Sequence, residues 1–313
     1  MGIISYSTYK NKKCFVLEND SIKAKFIPAP GGKLASLLNK NTGYEYLVQR
    51  ENKYYREQPF GGVFVEAECS GYDDMFPTID TCKYEDEPWE GVEMADHGEV
   101  WSLPWKFEVK NDTLYMSVKG VRFDYTLEKQ VYFTDKGSLR LDYTLTNDSL
   151  FDFAFLWAGH LMINMEEGTV VKVPEDCKQT VTVLTNGPGK FGDLRQWPFF
   201  NDSQGNPYRA DICRSRSTCG FEKYYFTNKL ADGWCELIYP DVRNSLIVSF
   251  PVETVPYLGI LMNEGGWDNL YNVIIEPCTV CFDRPDVAKR YGQVSKVKAK
   301  SVYKWHIEIT VTK

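Results

Sequence analysis

The chain has only three histidines, so each can be weighed as a proton carrier. His160 is the sharpest. It interrupts the apolar run Phe155-Leu-Trp-Ala-Gly-His160-Leu-Met-Ile-Asn164. Gly159 before it suggests close approach of another backbone or of a ligand. Glu276 ends a second apolar run, Asn272-Val-Ile-Ile-Glu276, and precedes Pro277. A half-buried carboxylate there has a raised pKa unless it is paired, which suits a general base. An imidazole and a carboxylate can exchange protons with a bound molecule if the fold brings them face to face. The plainer readings stand beside these: His160 as a hydrogen-bonded core group, and Glu276 as the partner of a nearby arginine.

His97 lies in Ala95-Asp96-His97-Gly98-Glu99-Val100-Trp101. An imidazole beside an indole can donate to a sugar hydroxyl while the indole stacks on the sugar face; the alternative is an Asp96–His97 surface turn. Asp73 and Asp74 sit together in Gly71-Tyr-Asp-Asp-Met-Phe-Pro-Thr, which reads as a loop. Two acids there could grip hydroxyls, bind a cation or face water. His306 alternates with Trp305 and Ile307 on a terminal strand and points to solvent. Cys278-Thr-Val-Cys281 is a lone CxxC; with so few histidines it lacks the usual further zinc ligands, and structural thiols are expected.

Strands must position these groups. Leu139, Leu141, Tyr143 and Leu145 share one face of a period-two run, Trp305, Ile307, Ile309 and Val311 another, and Ile22, Ala24 and Phe26 a third. Turn signals such as Pro30-Gly31-Gly32, Asn41-Thr42-Gly43 and Asn186-Gly187-Pro188-Gly189 separate them. No stretch carries a sustained helical stripe; Asp286 to Gly292 reads as one or two helical turns opened by Asp286 as a cap. Residues 51–105 and 186–220 break the rhythm and read as functional loops. The expectation is a large antiparallel all-β protein, residues 1–313 forming a single domain.

Whole-chain quantities exclude several classes. A hydrophobic content of 43% and a charged content of 25% over 313 residues describe a globular chain with a sizeable core. The net charge of −7 disfavours nucleic acid as a partner, because phosphate binding rests on Lys and Arg. Lys296-Val-Lys-Ala-Lys-Ser-Val-Tyr-Lys304 looks like the solvent face of a strand. No apolar stretch approaches a membrane span, and the first residues lack the apolar core of a signal peptide. With 9 cysteines at irregular spacing, reduced thiols in the cytoplasm are expected.

Taken together, the motifs resemble the aldose 1-epimerase, or galactose mutarotase-like, family. The likeness runs in order along most of the chain. It covers the opening Leu17 to Leu37 with its Pro30-Gly31-Gly32 turn, the Asp96-His97-Gly98-Glu99-Val100-Trp101 motif, the H-x-x-x-N spacing of His160 and Asn164, and Glu276-Pro277 following Gly265-Gly266-Trp267. The resemblance implies a super-sandwich of antiparallel sheets. It implies Glu276 as the base that removes the C1-hydroxyl proton of a hexose, and His160 as the acid that protonates the ring oxygen. His160 would then start protonated and Glu276 ionised, bracketing neutral pH. The expected substrate-holding residues are His97, Trp101, Asp73, Asp74, Arg56, Asn164 and Trp267, with no metal and no cofactor. Arg56 stands where the family carries a sugar-gripping arginine, and Asn228 and Asp232 lie where it carries an aspartate. The Gly71-Tyr-Asp-Asp-Met-Phe-Pro stretch is more like a mutarotase-related branch than galactose mutarotases proper.

Other readings on the same residues are a non-catalytic carbohydrate-binding protein, since a fold does not fix a function, and a hexose-phosphate epimerase using Arg209, Arg214 and Arg216. A lyase or hydrolase pairing Asp73 or Asp74 with Glu276 ranks last. The partner in each case is a small carbohydrate, and no residue marks an oligomer interface.

Overall fold

In the computed structural model, which describes residues 2–202, 204–241 and 243–311, two antiparallel sheets dominate. One has 11 strands and the other 8. The chain is the expected all-β super-sandwich. The period-two runs fold as they read: Leu139, Leu141, Tyr143 and Leu145 on the strand Leu139–Asn147 are buried, and so are Trp305, Ile307, Ile309 and Val311 on Val302–Val311. These two strands pair within the smaller sheet. Their inward side chains meet Leu161, Ile163, Tyr224, Ile260, Val273 and Ile275 of the larger sheet in one continuous apolar core.

The larger sheet is buried on its other face as well. Six of its strands lie side by side in the order Gln179–Thr185, Gly220–Phe226, Tyr257–Glu264, Tyr271–Cys278, Ala158–Asn164 and Tyr72–Met75. Because side chains alternate across a strand, Met162, Tyr225, Leu261 and Ile274 point away from the first core. They pack with Phe64, Ala67, Cys69, Ile79 and Trp101 in a second cluster. Phe64, Ala67, Cys69, Ile79 and Trp101 come from residues 51–105, the segment that broke the strand rhythm. The parts of that segment around these residues therefore form a cover over one sheet face.

Among the described residues the single α-helix spans Pro285–Arg290. Asp286 lies in its first turn rather than at the cap position, which Arg284 occupies, and its carboxylate is taken by the Arg284 guanidinium at 2.7 Å. All nine cysteines are free thiols and eight are buried, Cys278 and Cys281 among them. No helix among the described residues is long and apolar enough to cross a membrane.

Candidate active site

Strand register places the site. Ala158 pairs with Cys278 and Leu161 with Ile275, which sets His160 opposite Glu276. His160 in turn faces Asp73, Glu276 faces Gly259, and Gly259 faces Tyr225. One row across the larger sheet therefore reads Asp73, His160, Glu276, Gly259, Tyr225. The next row on the same face is Met162, Ile274, Leu261, Lys223, and the one beyond includes Asn272, Asn263 and Phe221. The cover segment closes over these rows and leaves a cleft of about 200 Å³, lined by His160, Lys223, Asn263, Asn272 and Asp283 with Phe64, Phe221, Trp267 and other apolar side chains, and by His97 from above. A largely apolar cleft with a few convergent polar groups is the usual form of a small-molecule site.

Glu276 is fully buried, and its two oxygens differ. Oε2 accepts from the Lys223 ammonium at 2.8 Å and from the Tyr225 hydroxyl at 3.1 Å. Oε1 has no hydrogen-bond partner and lies 3.7 Å from His160 Nε2, too far for a hydrogen bond and close enough to share one bound group. Lys223 and Tyr225 reach Asp283 Oδ1 as well, at 2.7 and 2.6 Å. Asp283 is held in place through its backbone, whose carbonyl accepts from the Ile79 and Asp80 amides at 3.0 and 2.9 Å. Gly259 makes room for Tyr225, since a Cβ there would lie 2.6 Å from the tyrosine ring.

The protonation states differ from the sequence expectation. Burial holds His160 well below 6.5, and the nearby ammonium groups of Lys223 and Lys33 push the same way. Burial raises Glu276 above 4.5; Lys223 opposes this, while the neighbouring charge of Asp283 adds to it. The imidazolium and carboxylate that would bracket neutral pH are thus each shifted toward the neutral form, because charge is costly in a dry site.

The Asp96-to-Trp101 motif works as a bracket. Asp96 Oδ1 binds His97 Nδ1 at 2.7 Å, and Asp96 Oδ2 accepts from the Phe64 amide at 2.7 Å. With Nδ1–H donated to Asp96, a neutral His97 offers Nε2 to the cleft as an acceptor. Its ring stacks on Phe64, with centroids 4.3 Å apart, and stands edge-on to His160 at 5.7 Å. His97 has a left-handed backbone (φ 56°), and Gly98 passes so close to Phe76 that a Cβ would meet its carbonyl at 2.1 Å. Glu99 pins the bracket by accepting from the amides of Val121 and Arg122, each at 2.9 Å.

Of the expected residues, the fold brings His160, His97 and Trp267 to the cleft and sets Glu276, fully buried, directly behind His160. Trp101 is a correction: its indole is buried behind Phe64 and donates to the Asp96 carbonyl at 2.9 Å. Asp73 and Asp74 are corrections with a clear cause. They lie on a strand, Tyr72–Met75, and neighbours on a strand point to opposite faces, so they cannot grip one ligand together. Asp73 shares the face of His160 but is bound to Lys33, and Asp74 lies in the core bound to Lys129 at 2.8 Å. Asn164 donates to the carbonyls of Glu45 and Leu47, each at 3.0 Å, and with the exposed Arg56 borders a separate surface cleft. Asn228 donates to Asp176 at 2.9 Å, away from the cleft, and Asp232 is exposed. None of Arg209, Arg214 and Arg216 lines the cleft; they bind Asp211, Glu264 and Asn269.

Sequence reasoning missed Lys223, Tyr225, Asp283, Asn263, Asn272 and Phe64. The signal that could have found Lys223 is a lysine in an aromatic run, Phe221-Glu-Lys-Tyr-Tyr-Phe226, where period two puts it on the face of Tyr225. Among the described residues no cluster of His, Cys, Asp and Glu could hold a metal ion.

The chain belongs to the aldose 1-epimerase family, whose model matches residues 13–232. The fold is similar to that of a protein from Synechocystis sp. PCC 6803, at 16% identity over 98% of each chain with a TM-score of 0.72. It is also similar to a galactose mutarotase-like protein from Lactobacillus casei, at 19% identity over 95% of this chain and 99% of that one, with a TM-score of 0.70. A galactose mutarotase related enzyme from Lactobacillus acidophilus gives 14% identity, coverage of 96% and 97%, and a TM-score of 0.68. At these identities the solved structures speak to the fold alone. No curated protein matches the sequence significantly.

Proposed function

We propose that the protein is a cofactor-independent aldose 1-epimerase that interconverts the α and β anomers of a free, uncharged hexose. The observation that carries this reading is Glu276 Oε1, a fully buried carboxylate oxygen with no partner, 3.7 Å behind Nε2 of His160, which lines the cleft. A buried polar atom left unpaired is costly and asks for a ligand. A hydroxyl and a ring oxygen on adjoining bonds of a sugar suit that gap.

Glu276 takes the C1-hydroxyl proton while His160, in its protonated form, donates to the ring oxygen. The C1–O5 bond opens, the aldehyde turns about C1–C2, and the two transfers reverse on closure. One proton thus moves between Glu276 and His160 and returns, so the reaction consumes nothing. The carboxylate–imidazolium form starts the cycle, and the carboxylic acid–imidazole form accompanies the open chain. Burial brings these two forms closer in energy, which matches a pair that must occupy both. Phe64, Phe221 and Trp267 offer apolar surface to the ring. His97 Nε2 and the unpartnered amide nitrogen of Asn272 offer an acceptor and a donor for hydroxyls. A phosphate would need a free cation, and the cleft's lysine is already bound by two carboxylates.

The test is anomer exchange by NMR saturation transfer over a panel of free hexoses, with the native protein and Glu276→Gln. Each positioned acid or base contributes ~10²–10⁴ in rate. The expected result is acceleration for at least one hexose and a loss of that order in the variant. No acceleration for any member, with binding retained, would replace this reading with a carbohydrate-binding protein.

A further inference from the structure

We propose that Lys223 is a positioning residue for Glu276: its ammonium, clamped between Glu276 and Asp283, fixes the carboxylate's charge and orientation, so that Oε1 alone is offered to the sugar. The inference rests on the reading of Glu276 as the base and adds a second layer to it.

The geometry is specific. Lys223, Glu276 and Asp283 are all buried, with 4%, 0% and 8% of their surface exposed. Lysine rarely enters a protein interior without an ion partner, and this one has two. Lys223 and Tyr225 occupy Oε2 from the same strand, two residues apart and on one face. A carboxylate with one oxygen held by two donors cannot turn freely about its last bond, so Oε1 is aimed by default. Asp283 completes the clamp by holding both donors from the other side.

Charge arithmetic gives the clamp its chemical effect. Lys223, Glu276 and Asp283 sum to one negative charge, which a single proton on His160 neutralises. Without Lys223 the sum is two negative charges in a dry site. The two carboxylates would then take up a proton between them, as close carboxylates do. The base would rest in its protonated form and could not begin the cycle. The charged and titratable groups around Glu276 are Lys223 and Tyr225 on one side, His160 on the other, the buried Cys278 thiol two residues along the same strand, and Asp283 beyond. Asp80, His97, Lys33 and Asp73 lie further out.

The experiment is a carboxyl-carbon NMR titration of protein labelled at glutamate, the Glu276 signal being assigned by its absence in Glu276→Gln. It is run on the native chain, on Lys223→Met, and on Lys223→Met/Asp283→Asn. The double variant keeps the buried charge at one negative and serves if the single variant does not fold. The expected result is a Glu276 midpoint raised by at least one pH unit in Lys223→Met, a tenfold gain in proton affinity, and raised by less in the double variant. The acid limb of kcat/KM should move with it, whereas a lysine with a purely structural role would lower the rate at every pH and leave the midpoint in place. An unmoved midpoint in whichever variants fold overturns the proposal. Because the titration needs no substrate, a native protein inactive on every hexose would sink the epimerase reading by itself, and an active one with an unmoved midpoint would sink only the role given to Lys223.

Discussion

Replacing Asp74 with alanine should unfold the protein more readily and leave the reaction almost untouched. The Asp74 carboxylate is buried between the sheets. It accepts from Lys129 Nζ at 2.8 Å, Trp157 Nε1 at 3.1 Å and the Tyr72 hydroxyl at 3.2 Å. Lys129 is just as buried; without Asp74 it keeps the Gly32 carbonyl at 2.7 Å and the ring of Trp105 at 4.8 Å, with no anion bonded to it. Removing one partner of a buried ion pair costs about 3–5 kcal/mol, because the other charge is stranded. An unfolding entropy of ~2.1 cal/mol/K per residue gives about 0.66 kcal/mol/K for this chain. The melting temperature should therefore fall by about 5–8 °C, read by calorimetry or circular dichroism. KM for the accepted hexose should stay within about twofold, because Asp74 faces away from the cleft. Asp74→Leu/Lys129→Met should regain most of the loss, since apolar replacement of a whole buried pair is often neutral or stabilising. An Asp74→Ala protein that melts with the native one while its KM rises tenfold would refute this reasoning and return Asp74 to the site.

Two further outcomes follow from the same geometry. The productive pair needs a proton on His160 and none on Glu276. Activity should fall as pH rises through His160, held below 6.5, and fall again as pH drops through Glu276, held above 4.5. The profile of kcat/KM is then bell-shaped; a profile flat to pH 8 would contradict it. Gly259→Ala places a Cβ 2.6 Å from the Tyr225 ring; overpacking of this kind costs about 1–3 kcal/mol, and the displaced hydroxyl should lower kcat more than it changes KM. Thermal melts and saturation-transfer rates check both parts, and an unchanged rate would mean that the Tyr225 hydroxyl does nothing for Glu276.

What the sequence disclosed depended on whether the information was local. Alternation is local, so the strands through Leu139 and Trp305 and the all-β architecture could be read directly. His160 and Glu276 stood out because a titratable group in an apolar run is rare in any context. Partnership is not local. Lys33 lies 40 residues from Asp73, and Lys129 lies 55 from Asp74. No spacing rule links them, so the two acids looked free when both were bound. A misread element made the error certain. Taken as a loop, Gly71 to Thr78 could aim two carboxylates at one ligand; as a strand it must send them to opposite faces. Trp101 and Asn164 failed in a different way. Trp101 sits one step from the cleft and shapes it from behind Phe64, whereas Asn164 ties down the carbonyls of Glu45 and Leu47 at a separate surface cleft. A motif marks where a site is built but does not separate the wall from its support. Lys223 shows the converse. It carries no motif, and its standing comes wholly from a register that sets it one row from Glu276, on the face where Tyr225 and Asp283 close around it.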